Sequence, residues 1–487
     1  MSASTPVLMV IFIFAFIPLI LAEIARKNSV PSIEDFFVNS RKMPMVMVFF
    51  TVYATWASSF AFLGATSSFY SKGPVYLTAF SWNALFGILF FVIGKRIWFY
   101  GKNHGYITPT DFFQDLYGSK ILNFAITIIM VVFTIPYLQI QLSGGAYLIE
   151  IATDGMIPWR ICGLLFYLII IIYLWAGGIR AVALADIFYG LMIFTTMLMA
   201  GFFFLHQAGG IEYVFNTILE RDRNYLVLPG PEGNAGSLLW LSMFVVVPIG
   251  ALMGPQIWIR SYSVGQKKTF HIMPFLICFA AIMYVGSVLS GSASIILKPG
   301  LVQADKILPT ILVSQGNQLL AVFLFCGIAS AALSTANSQI HAVAAIYTID
   351  IHKRYINKNI SESRLVNTGK WAVLFISGLA YVLLLNSPSL IIDTGTIAMG
   401  GTAQVMVPTV GALFWKKANS IAALCGLIVG ISVLVTLFMV YNLNSSYCAI
   451  IALCCNTIIF ITGSLLLKTD IYTREKILTY KYEYDNQ

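Results

Sequence analysis

Residues 325–355 read FCGIASAALSTANSQIHAVAAIYTIDIHKRY, and within this run Ala331, Ser334 and Thr335 stand at i, i+3 and i+4. On a helix that spacing turns one carbonyl and two hydroxyl oxygens toward the same neighbour, and Asn337 and Ser338 extend the face by a turn. The surrounding run is long and apolar enough to cross a 30 Å hydrocarbon core, where polar atoms must face protein, water or an ion. A hard cation such as sodium takes several oxygens, and hydroxyls and carbonyls supply them without a full carboxylate opposite it. Small and hydroxylated residues also let membrane helices pack closely, so this segment alone leaves packing as an alternative. His341 reads as a hydrogen-bonded interior residue, and Asp350, beside His352, Lys353 and Arg354, as half of a structural ion pair.

The rest of the chain supplies the membrane. Of 487 residues, 59% are hydrophobic and only 10% are charged, with a mean hydropathy of +0.84. Soluble domains carry about 25% charged residues, so a water-soluble catalytic body is excluded. The formal charge of +9 comes without a dense basic stripe, which argues against nucleic acid. The 7 cysteines show no ligand spacing, which argues against structural zinc or a disulfide framework.

Spans are expected at about 4–22, 45–69, 75–98, 121–151, 160–177, 183–206, 237–256, 271–292, 318–349, 370–387, 391–415, 420–441 and 446–467. An odd number puts the termini on opposite sides. With the N-terminus outside and the C-terminus cytoplasmic, 23 of the 29 Lys and Arg fall inside, all but Lys72, Arg160, Arg221, Arg223, Lys298 and Lys306. That asymmetry is the positive-inside pattern of a multi-pass cell-membrane protein. The inner loop 100–120 carries a helix-start signal at Thr110-Asp111, and the tail after Lys468 reads as polar and partly mobile.

Two spans carry signals for breaks. TVYATWASSFAFLGATSSFY (51–70) is crowded with hydroxyls, and VVVPIGALMGPQIWIR (245–260) holds Pro248, Gly250, Gly254 and Pro255. Backbone freed at membrane depth must line a cavity or be buried in protein, and carriers place such breaks at ion and solute sites. Helix packing or a proline kink is the alternative for either span alone. Asp186, in ALADIFYG, is an expensive carboxylate unless partnered, or else a cap at the inner interface. Gln139 and Gln141 offer amides, but a spacing of two puts them on different faces.

With these segments in hand, the chain resembles the sodium:solute symporter family along essentially its whole length. The resemblance rests on VPSIEDFFVNSRKMP (30–44), SFAFLGATSSFYSKG (59–73), TPTDFFQDLYGS (108–119), AGGIRAVALAD (176–186), ADKILPTIL (304–312) and the AALSTANSQ block. It implies an all-α LeuT-type five-plus-five inverted repeat with about 13 transmembrane helices. Residues 45–206 and 237–415 would form the repeats. Residues 1–44 would be an accessory helix and inner loop, 207–236 an outer loop, 416–467 accessory spans, and 468–487 a tail.

By the same resemblance the sodium site would take the carbonyls of Ala54, Ala57 and Ala331 with the hydroxyls of Ser334 and Thr335. A second sodium set would fall on Asp186, Ser334, Asn337 and Ser338, one coupled ion being the better reading. Trp56, Ser58, Ser59, Phe60, Gln139, Gly250 and Gly254 would shape the solute pocket. Trp56 stands where the proline-carrier pattern is acidic, and Val247, Gly250, Ala251 and Gly254 stand where sugar carriers place amide or aromatic groups. A small amino acid, monocarboxylate or related acid is therefore expected, carried with Na+ by alternating access. A proton-coupled carrier using Asp186 and a non-transporting sensor are the alternatives. An enzyme is not expected, since no reactive cluster is legible, and neither is an organic cofactor. A monomer suffices for transport, and the oligomeric state is left open.

Overall fold

The computed structural model describes residues 32–314, 318–386, 391–468 and 470–486, together with scattered positions between 17 and 27. The expected first span, 4–22, lies almost wholly outside the described residues. Among the described residues the fold is all-α, without strands. Its framework is α1 (Met45–Trp56), α2 (Ala65–Lys72), α3 (Thr78–Leu89), α4 (Lys120–Ala152), α5 (Trp159–Gln207), α6 (Ser237–Met253), α7 (Pro255–Ser263), α8 (Met283–Leu297), α9 (Gln318–Ile346), α10 (Ile391–Ala403), α11 (Ser420–Met439) and α12 (Ser445–Leu466). Every expected span from the second onward falls on one of these, on a broken pair, or on the helix Glu362–Asn386.

By length and composition, 9 described helices can cross a membrane, and the bent pair α6 and α7 makes up to 10. That count is lower than the expected thirteen, partly because helices run together. Phe60–His104 is continuous over 45 residues, about 68 Å at 1.5 Å per residue, far beyond one crossing. Gly73, at φ 70° and ψ −142°, interrupts it where the sequence separates the second and third spans. Likewise Gly178 (φ 58°, ψ −165°) divides the 49-residue α5.

The centre of the molecule is α9, packed against α5, α4 and α1. Across from it α6 lies on α10 and α3, while α11 and α12 pair with each other. Glycines set the closest approaches. A Cβ on Gly250 would penetrate the backbone carbonyl of Met399, and one on Gly286 the carbonyl of Met197.

Two elements outside the expected spans differ from expectation. The helix in 100–120 runs Pro109–Tyr117 and begins two residues earlier than its signal. Thr108 is the cap, Pro109 takes the first turn, and Asp111 completes a capping box. The tail is a helix, Ile471–Asp485, with Ile477 and Tyr480 buried. Lys476 Nζ reaches Asp115 Oδ1 at 2.7 Å, and Tyr480 also donates to that carboxylate.

Candidate functional site

The first break follows from α1 running out of helical partners. Ala57 leaves the helix at φ −79°, ψ 67° while its N–H still bonds the Tyr53 carbonyl. The chain resumes only after Ser58 and Ser59, through the π-turn Phe60–Gly64. The second break is at Gly254 (φ −62°, ψ 135°), before Pro255, which has no N–H to continue the ladder. There α6 and α7 are bent by 57°.

Facing the first break, α9 presents the expected hydroxyls. Thr335 Oγ1 donates to the Thr55 carbonyl at 3.0 Å and lies 3.5 Å from that of Ala54. Neighbouring oxygens around a hard cation held at ~2.4 Å stand about this far apart. Ser334 Oγ donates to Asp186 Oδ1 at 2.6 Å. Each hydroxyl thus gives its only hydrogen to a protein acceptor, which leaves oxygen lone pairs for a cation. Ala54, Ala57 and Ala331 are fully buried.

Asp186 is not a cap at the interface but a fully buried carboxylate on α5. Thr51 Oγ1 of α1 donates to its Oδ2 at 2.5 Å, and Arg260 Nη2 of α7 lies 3.4 Å from the same oxygen. Arg260 also donates to the Thr51 carbonyl at 3.1 Å, to the Gln256 carbonyl at 3.0 Å, and to Ser338 Oγ. Ser338 in turn donates to the Ser334 carbonyl at 2.8 Å and lies 2.8 Å from Thr55 Oγ1. Of the second sodium set, Asp186, Ser334 and Ser338 are therefore drawn together around a guanidinium. Asn337 is buried, and its side-chain oxygen has no partner among the described residues.

The placement of Arg260 corrects the sequence reading, which counted it among inner-loop charges. It is 1% exposed, and its partner Asp186 is 74 residues away in the chain. His341 and Asp350 fall as expected. His341 is buried with its ring 3.1 Å from the Phe36 carbonyl, and Asp350 lies 3.4 Å from Arg354.

Several of the expected solute residues lie around the two breaks. Ser58 Oγ accepts from the Phe60 N–H at 3.1 Å and lies 3.1 Å from Tyr137 Oη. Tyr137 also lines a cavity of about 20 Å³ with Thr134, Gly250, Gly254, Gln256 and Met399. Trp56 is held from α3, its Nε1 donating to Asn83 at 2.6 Å and its ring stacked on Phe86. Phe60 packs against Gly395 of α10.

The Ser59 N–H at the first break donates to Gln141 Oε1 at 3.0 Å. The amide that meets the break is thus Gln141, not Gln139. Gln256 was also missed. It is buried, lines the cavity, and its Oε1 has no partner among the described residues. Its signal was a polar residue directly after the Gly254-Pro255 break.

Two broken helices therefore lie against the oxygen-rich α9. The model of the sodium:solute symporter family matches residues 36–430, and the chain belongs to that family. Its relatives include the sodium/pantothenate symporter of Haemophilus influenzae, 26% identical over 432 residues and covering 87% of this chain and 88% of that one. The osmoregulated proline transporter OpuE of Bacillus subtilis is 25% identical over 332 residues, 66% of each chain. A substrate-bound, outward-open Na+-coupled sialic acid symporter superposes with a TM-score of 0.81 at 17% identity, over 95% of this chain and 98% of that one. The fold is thus the LeuT-type architecture, and the chain is a multi-pass membrane protein of a sodium-coupled symporter family.

Proposed function

We propose that this protein carries a small amino acid, monocarboxylate or related small organic acid inward together with sodium, by alternating access. The observation that carries the coupling is the pair Ser334 and Thr335, whose hydroxyl hydrogens are both committed, with Thr335 meeting the carbonyls of the broken α1. Sodium held by the two hydroxyl oxygens and the Ala54, Ala57 and Ala331 carbonyls ties α1 to α9. It thereby orders the adjoining break, and by reciprocity the solute strengthens sodium binding. The membrane potential contributes about 2.3 kcal/mol per charge per 100 mV.

The solute reading rests on size and on the polar groups present. A 20 Å³ cavity has room for about one water, so a solute enters only as the walls move apart, and a bulky one is disfavoured. Thr134, Tyr137, Gln256 and Thr402 are the polar side chains that line it, too few for a polyhydroxylated sugar. A carboxylate would take the Ser59 N–H by displacing Gln141 Oε1. Trp56, Ser58, Phe60 and Gln139 complete this reading, with Gly250 and Gly254 as the opposite wall.

Residues 45–206 and 237–415 are taken as the two repeats, with the N-terminus outside. Withdrawing Arg260 leaves 22 of 28 positive residues inside, which supports that orientation. Uptake of radiolabelled small acids into proteoliposomes, with and without a sodium gradient, tests the function. Accumulation driven by a pH gradient in sodium-free medium would instead establish the proton-coupled reading. The engagement of Asp186 with Arg260, Thr51 and Ser334 favours an orienting role over a proton-carrying one.

A further inference from the structure

We infer that Arg260 is a tethered cation that occupies the second cation position of this protein, so that the chain binds one sodium ion and not two. The inference rests on the sodium-coupled reading above but concerns a different set of atoms. A buried carboxylate surrounded by hydroxyls is a ready cation site, and Asp186 has such surroundings in Thr51, Ser334 and Ser338. The cation found against it is the guanidinium of Arg260, 1% exposed, beside Asp186 and donating to Ser338.

Its placement is built in from several sides. The Thr51 carbonyl and hydroxyl accept from Nε at 3.1 and 2.8 Å, and the Gln256 carbonyl accepts from Nη1 at 3.0 Å. Four elements therefore converge on one positive group: α1, α5, α7 and α9. Arg260 stays protonated at any physiological pH and arrives at no cost in ions from the bath. With the carboxylate neutralised, a free sodium entering the same cluster would meet like charge and acceptors already in use. Thr335 Oγ1 meets instead the Ala54 and Thr55 carbonyls of α1, where the first cation position lies.

The tether has a mechanical consequence. A dissociable ion would leave this cluster in each transport cycle, whereas Arg260 leaves only if α7 moves. The second broken helix is therefore fastened to α1, α5 and α9 by a charge that travels with it. Release of that contact belongs to the conformational step and not to ion exchange.

The test uses sodium alone, because it needs no knowledge of the solute. Bound ²²Na+ at saturation is counted on the purified full-length protein in lipid nanodiscs, with potassium as the balancing ion. The expected values are one sodium per chain for the unaltered protein, two for Arg260→Gln, and one for Arg260→Gln combined with Asp186→Asn. Thr335→Ala should abolish binding in the unaltered background but leave one ion in the Arg260→Gln background, held at Asp186. Two ions on the unaltered protein, or no ion gained by a folded Arg260→Gln variant, overturn the inference. Should Arg260→Gln fail to fold, Arg260→Lys keeps a tethered charge and must still bind one, two ions there being equally decisive against it. No sodium on the unaltered protein, with one ion gained on Arg260→Gln, would remove the sodium-coupled function while leaving the tethered cation intact.

Discussion

Replacing Ser334 with Ala removes one hydroxyl that has two duties. Its hydrogen goes to the buried Asp186 carboxylate at 2.6 Å, and its oxygen is a proposed sodium ligand. A hydrogen bond to a charged group contributes about 1.5–3 kcal/mol. If that much is lost from sodium binding, affinity falls about 10- to 150-fold at 1.4 kcal/mol per tenfold. Sodium-dependent thermal stabilisation measures this without a known solute. For a dissociation constant near ~1 mM, 100 mM sodium stabilises the folded protein by about 2.7 kcal/mol. A tenfold weaker site gives about 1.4 kcal/mol, and a 150-fold weaker one about 0.3 kcal/mol. The difference in melting temperature between sodium and potassium chloride should therefore shrink by half or more in Ser334→Ala. Ser330, one turn earlier, is buried with a hydroxyl that has no partner among the described residues, so Ser330→Ala should keep the full difference. An unchanged sodium response in folded Ser334→Ala would refute the assignment.

Further outcomes follow from other contacts. Gly250→Ala should lower folded yield or melting temperature by the equivalent of about 1–3 kcal/mol, since its methyl would enter the Met399 carbonyl, which cannot retreat cheaply; expression and thermal melts check it. Burial by itself would raise the Asp115 carboxyl, but hydrogen bonds from Lys476, Tyr106 and Tyr480 outweigh it and hold the carboxyl below its ordinary range. Its contribution to docking the C-terminal helix is accordingly complete above about pH 4 and is lost as pH falls through the lowered value. Hydrogen exchange over 471–485 should rise at neutral pH in Asp115→Asn and only at acid pH in the unaltered protein. For orientation, Val302→Cys, at a position 97% exposed, should label from outside intact cells in a cysteine-free background. Tyr482→Cys should label only after permeabilisation.

Much of the site was written in local spacing. Ser334 and Thr335 both adjoin Ala331 because residues three and four positions along a helix neighbour the first whatever surrounds them. Both breaks were legible because Gly254-Pro255 and the hydroxyl-rich 55–68 stretch interrupt runs that otherwise suit lipid. What sequence did not carry is rotation and distance. Gln139 and Gln141 point to different faces of α4, and only packing against Ser59 decides which one meets the break. Arg260 stood near the end of an apolar run, where hydropathy treats a positive charge as a loop marker. Its burial depends on Asp186 from another helix, a pairing no window of sequence contains. The cap at Thr108 was displaced for a smaller reason, the suitability of Pro109 for the first helical turn.

The close seat of α6 on α10 bears on how such a carrier changes its diet. Thr402 Oγ1 donates to the Gly250 carbonyl at 2.8 Å, and the Gly250 Cα faces the Met399 backbone with no space for a side chain. That wall of the cavity is therefore closed to tuning by substitution. Any adaptation to a new solute has to be written on the facing surfaces, at Phe133, Thr134, Tyr137 or Gln256, where side chains rather than backbone meet the cavity. Half of the pocket is thus a fixed floor, and selectivity can evolve only from the other half.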